Sequence, residues 1–115
     1  MAGTALLPWE KWLAQLLHPL YVAIRRWLHN RERRESLTEA QAWPRARGTV
    51  ASKKWDSSLP REEITYSYTT ERGYYSGFHW HWFDRAEARE VKPGDEIELR
   101  YDPENPERSI LVGFI

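Results

Sequence analysis

Val91-Lys92-Pro93-Gly94-Asp95-Glu96-Ile97-Glu98-Leu99-Arg100-Tyr101-Asp102-Pro103-Glu104-Asn105-Pro106-Glu107-Arg108-Ser109-Ile110-Leu111-Val112-Gly113-Phe114-Ile115 reads as a β-hairpin entered through a turn. Pro93-Gly94-Asp95 supplies turn chemistry. Ile97, Leu99 and Tyr101 then alternate with Glu96, Glu98 and Arg100, the period of a half-buried strand. Asp102 to Arg108 carries two prolines and an asparagine and reads as a loop. Ile110 to Phe114 is the returning strand. The stretch contains neither a nucleophile nor a metal-ligand cluster, so it points to a β-module rather than to a catalytic motif.

Upstream, the same period extends back to Arg45. A first strand spans about Arg45 to Ser52, and Gly48 inside it marks a bulge or a close backbone approach. Lys53 to Pro60 is a polar loop. Glu62 to Thr70 places Ile64, Tyr66 and Tyr68 on one face. Glu71-Arg72-Gly73 makes a hairpin turn. Tyr74 to Phe83 alternates Phe78, Trp80 and Trp82 against His79 and His81. Asp84 to Glu90 is a loop or one helical turn. Five short antiparallel strands predict a small barrel-like module or curled sheet. Its expected core is Ile64, Tyr66, Phe78, Trp80, Ile97, Leu99, Ile110 and Val112.

The chain before Pro44 follows a different period. Leu6, Trp9, Leu13, Leu16, Leu20, Ala23 and Trp27 recur at helical spacing, and Trp12, Leu17, Ile24 and Leu28 widen the stripe. One amphipathic helix is expected from residue 6 to about 34, kinked or split near Pro19. Ser36-Leu37-Thr38-Glu39 fits a capping box and predicts a short second helix through Ala42, ended before Pro44. The fold class is therefore α+β. Residues 1–42 form a helical segment and residues 43–115 a small antiparallel β-module.

Composition narrows the function. With 115 residues the chain can bury one modest core. It has no cysteine, which excludes disulfides and thiolate metal sites. Lys plus Arg equals Asp plus Glu, at 17 each. Residues 45–115 alone carry 11 basic and 13 acidic side chains, which argues against a polyanion partner. Trp12 to Ile24, the longest stretch without formal charge, includes Gln15, His18 and Pro19 and is short for a membrane span of ~20 apolar residues. The arginines follow the apolar run, the reverse of a secretory signal peptide. Tryptophans and leucines followed by arginines suit a helix lying in a membrane interface. The plainer alternative is a stripe that packs on the β-module or on a partner protein.

A series of motifs adds to this. Trp43-Pro44-x-Ala46-x-Gly48-x-Val50 opens it. Ile64-x-Tyr66-x-Tyr68, Gly73-Tyr74-Tyr75-Ser76-Gly77, Pro93-Gly94-Asp95 and Tyr101-Asp102-Pro103-x-Asn105-Pro106-x-x-Ser109 follow in order. Over about residues 43–114 the chain resembles the bacterial domain of unknown function 3592. The Tyr-Asp-Pro-x-Asn-Pro segment is the most specific part. The resemblance implies a β-module close to a membrane, since the family usually carries transmembrane helices beside it. It implies no activity and no catalytic residues.

Other sites carry less. His79 and His81, at i and i+2, share a strand face and could bind zinc given a third ligand, for which Asp84 is the local candidate. They read better as ordinary residues on the wet face of an aromatic strand. Glu96 and Glu98 read as solvated edge charge that discourages strand pairing. Trp80, Trp82, Tyr66, Tyr68 and Tyr75 with Arg45, Arg47, Lys53 and Lys54 could form a stacking platform for single-stranded nucleic acid. The expectation is a non-enzymatic accessory or interaction module with no catalytic, cofactor or metal site. It is held at a membrane surface, or on a membrane-associated protein, through Trp9, Trp12, Leu16, Leu20, Trp27, Arg25, Arg26 and Arg31. Such a stripe also invites self-association. The alternative is a soluble OB-like domain, located in the cytoplasm, that binds nucleic acid or another ligand.

Overall fold

The computed structural model describes residues 8–83 and 90–115; side chains are described at residue 15 and from residue 17 onward within those ranges. Leu6 and the connection from 84 to 89 lie outside the described residues, as do the side chains of Trp9, Trp12, Leu13 and Leu16. The chain divides into two compact units, residues 1–32 and 33–115.

Helix α1 spans Pro8–Glu39 and contains Pro19. The helix therefore continues across the proline instead of splitting there. The ring removes the one N–H that would bond the Gln15 carbonyl. Gln15 is exposed, so water can take that carbonyl. The second helix expected from Ser36 is likewise absent as a separate element. A capping residue needs extended backbone, and Ser36 is already inside α1. The Thr38 hydroxyl instead donates back to the Arg34 carbonyl at 2.9 Å. A 3-10 turn at Ala40–Ala42 ends the run, and Trp43 is extended ahead of Pro44.

Five strands follow: β1 Arg45–Trp55, β2 Arg61–Thr70, β3 Gly73–Trp82, β4 Glu96–Tyr101 and β5 Ser109–Phe114. They form one antiparallel sheet in the order β3-β2-β1-β4-β5. The sheet curls into a half-barrel that brings its two edges, β3 and β5, towards each other. Tyr66 on β2 and Ser109 on β5 share a hydroxyl–hydroxyl bond of 2.8 Å, and the Tyr68 hydroxyl donates to the Pro106 carbonyl at 2.5 Å. β1 runs through Trp55, beyond the expected end at Ser52, with a register shift between Val50 and Ser52. Gly48 is a point of close approach. A Cβ there would lie 2.6 Å from the Ser67 carbonyl oxygen and 2.8 Å from Leu99 Cδ2.

The core consists of Val50, Ile64, Tyr66, Tyr68, Val91, Ile97, Leu99 and Leu111, with Ala46, Tyr75, Tyr101 and Phe114 packed against it. Four of the expected core residues belong to it: Ile64, Tyr66, Ile97 and Leu99. The phase of β3 is the reverse of the expectation. Phe78 is 62% exposed, Trp80 is half-buried, and His79 and His81 are buried. Turn length is the cause. Thr70 pairs with Gly73, so the hairpin turn is the two-residue Glu71-Arg72. Ile64 is therefore opposite His79, Tyr66 opposite Gly77 and Tyr68 opposite Tyr75. A three-residue turn would have put Phe78 and Trp80 inside, because a slip of one residue exchanges the two faces. On β5 a register shift between Glu98 and Leu99 places Leu111 and then Phe114 inward, leaving Ile110 and Val112 half-buried.

Candidate functional site

In the unit of residues 1–32, the described part of α1 presents an apolar face. Leu17, Leu20, Tyr21, Ile24 and Trp27 recur at spacings of three and four and are each about half exposed, between 48% and 55%. The Arg31 guanidinium lies 5.7 Å from the Trp27 ring centroid. Arg25 and Arg31 are exposed, and Arg26 is half-buried. Of the residues expected to make contact, Leu20 and Trp27 thus lie on the exposed face together. Leu17, Tyr21 and Ile24 join them. Tyr21 escaped the sequence reading because tyrosine fits a polar position as readily as an apolar one. Among the described residues, no helix is long and apolar enough to cross a membrane.

In the β-module the inner face is occupied by packing. Tyr66 and Tyr68 hold their protons more tightly than free tyrosine, chiefly because burial disfavours the phenolate. His79 and His81 lie on this inner face, which corrects the wet-face reading. Their rings are 6.5 Å apart, and Phe114 sits 6.2 and 5.5 Å from them, edge to face. Glu62 pairs with His81 across the β2–β3 ladder. Among the described residues no three His, Cys, Asp or Glu side chains converge as a metal site. Asp84, the suggested third ligand, lies outside the described residues.

The outer face carries charge and the remaining aromatics. Arg45 pairs with Glu98 at 3.1 Å and Arg47 with Glu96 at 3.7 Å. β4 lies between β1 and β5, so Glu96 and Glu98 do not guard a sheet edge; they balance arginines of the neighbouring strand. The residues of the suggested stacking platform divide between faces: Tyr66, Tyr68 and Tyr75 point inward, and Trp80 is on the opposite side of β3. Trp82 is buried. The Arg61 guanidinium lies 3.7 Å from the Trp80 ring centroid and donates to Asp56 at 2.8 Å. Asp56 also accepts from the Ser58 backbone N–H at 2.8 Å and hydroxyl at 2.7 Å. The Ser58 N–H, then Arg61, then the Ser58 hydroxyl hold the Asp56 carboxyl well below the usual carboxylate range. Sequence reading treated 53–60 as a bland polar loop. The missed signal was Asp56-Ser57-Ser58, whose spacing is that of an Asx turn.

A family model described as "Domain of unknown function (DUF3592)" matches residues 44–115. No curated protein matches the chain, and no solved structure does.

Proposed function

The chain belongs to the DUF3592 family of domains of unknown function, and on that premise we propose that it is a non-enzymatic accessory module held at a membrane surface by α1. One observation carries the reading: Leu17, Leu20, Tyr21, Ile24 and Trp27 form a continuous exposed apolar face with arginines beside it. A contiguous patch of that kind marks a membrane or partner surface. Sinking each large side chain into the acyl boundary gains up to ~1.5–3 kcal/mol. Each arginine near an anionic surface adds ~1 kcal/mol that fades with salt. On this reading the helix would lie in the interface with its apolar face down and its arginines at the headgroups.

Flotation of the full chain with anionic phosphatidylglycerol vesicles tests this. Binding should fall about tenfold or more in Leu20→Glu, Ile24→Glu and Trp27→Glu, since each change removes buried apolar area and adds a repelled charge. A full chain that ignores vesicles at low salt would overturn the membrane reading. Co-purification with a protein lost in the same variants would assign the face to a membrane-associated partner instead. If neither lipid nor protein engages it, the OB-like binding module becomes the better reading.

A further inference from the structure

Between residues 17 and 27 the exposed face of α1 has the spacing of a two-helix seam. Leu17, Leu20, Ile24 and Trp27 are separated by three, four and three residues, the pattern that keeps one helix against another. No Asp, Glu, Lys or Arg lies between Leu17 and Ile24. The half-buried side chains Val22, Arg26 and His29 of the same stretch stand on the opposite side of α1, so the apolar face points away from the covered one. In water, a contiguous apolar face of this kind is an association site.

Charge selects the occupant and its direction. Residues 25–34 carry Arg25, Arg26, Arg31, Arg33 and Arg34 against Glu32 alone, whereas residues 8–24 carry only Glu10 and Lys11. A parallel helix of the same sequence would set the two basic ends side by side. An antiparallel one sets each basic end beside a neutral end. With Leu20 of one copy level with Ile24 of the other, Leu17 falls level with Trp27, and a two-fold axis repeats both apolar layers. The two Arg31 residues then stand about 27 Å apart along the axis (18 residues at 1.5 Å), well beyond the reach of screened repulsion. We propose that in water α1 pairs antiparallel with α1 of a second copy of this chain, and that lipid and self-pairing compete for the one face. The inference rests on the membrane reading and adds its regulation: the chain must open its own seam to engage lipid.

Sedimentation of the full chain without lipid tests the pairing. A dimer is expected with a Kd on the order of 10 μM. Leu20→Glu and Ile24→Glu each bury a carboxylate in the central layers and should weaken it about tenfold or more. A monomer at ~100 μM, ten times that Kd, would overturn the proposal, as would a dimer indifferent to both changes. The chain has no cysteine, so introduced thiols report the direction. A disulfide needs Cα atoms within about 7 Å. Leu17→Cys combined with Trp27→Cys should therefore cross-link two copies on oxidation. Leu17→Cys alone should not, since its two copies stand about 15 Å apart along the axis (ten residues at 1.5 Å). Ready cross-linking by Leu17→Cys alone would mean a parallel pair and overturn the arrangement. Competition is read with the apolar face intact. Copies labelled through Ser52→Cys, exposed on β1, with a donor and an acceptor dye should transfer energy in water and lose that transfer on excess phosphatidylglycerol vesicles. Transfer that persists in the floated chain would overturn the competition. The two readings fail differently: a monomer that floats overturns the pairing and keeps the membrane reading, whereas a dimer that ignores vesicles overturns the membrane reading and keeps the pairing.

Discussion

α1 and the curled sheet spend the same residue types in opposite ways. In the sheet, Ile64, Tyr66, Ile97 and Leu99 are fully buried. On α1, Leu17, Leu20, Tyr21, Ile24 and Trp27 are half exposed. Hydrophobicity alone does not separate the two regions. A sheet that curls until β3 approaches β5 gives its inner face somewhere to go, and the Tyr66–Ser109 and Tyr68–Pro106 hydrogen bonds tie β2 across the curl to β5 and the loop before it. A helix has only its own surface, and its apolar side chains are buried only when something else is laid against them. Large apolar groups therefore stabilise the sheet and are available for contact on the helix.

Truncation should expose that contrast most strongly. Leu99→Ala, in the closed core, should destabilise by ~2–5 kcal/mol through lost transfer energy plus a cavity. Leu20→Ala on α1 should stay within ~0.5 kcal/mol. Urea denaturation of both variants reads the difference, and equal costs would break the comparison. Gly48→Ala probes the tightest approach in the sheet. The new methyl would press on the Ser67 carbonyl oxygen at 2.6 Å, backbone that cannot step aside. Overpacking of this kind should cost ~1–3 kcal/mol in the same assay. A neutral result would mean that β1 and β2 can separate locally without loss.

The hydrogen bonds from β2 to Ser109 and Pro106 should show a smaller effect with a pH signature. Tyr66→Phe removes the bond to Ser109 and should cost ~0.5–1.5 kcal/mol near neutral pH. Burial raises the Tyr66 and Tyr68 ionisation above the unfolded value of 10.0. The folded state therefore keeps protons that the unfolded chain releases. The stabilisation is complete below pH 10.0 and is lost as pH rises above it towards the raised folded values. Tyr66→Phe should flatten that alkaline decline, and thermal melts between pH 8 and 11 would reveal it. The smallest effect belongs to the reversed face of β3. Phe78→Ser should fall within ~0.5 kcal/mol, as surface substitutions do, because Phe78 is 62% exposed. A cost of several kilocalories would restore Phe78 to the core and contradict the two-residue turn.

Much of the fold was legible because it rests on local chemistry. The period-two alternation of Ile97, Leu99 and Tyr101 specified β4, and Ile64, Tyr66 and Tyr68 specified β2 together with its buried face. Pro93-Gly94-Asp95 predicted its turn, in which Gly94 takes a φ of 95° that other residues resist. Gly48 signalled its close approach. The α1 face was legible from spacing. The Asp56–Arg61–Trp80 cluster was not, since its members come from the loop after β1, from β2 and from β3 and meet only in the folded sheet.

By itself, the sequence determined the order of helix and strands, the inward faces of β2 and β4, and the lack of thiolate chemistry. Each follows from residue identity and short-range periodicity. Tertiary structure alone decided the phase of β3 and β5, the burial of His79 and His81, and the closing of the Asp56–Arg61–Trp80 cluster. The physical reason is parity. A strand with apolar or aromatic residues on both faces, such as Phe78 and Trp80 against His79 and His81, has no strong preference of its own for which face turns inward. The length of a turn and the position of a bulge make the choice, and a single residue in either reverses it.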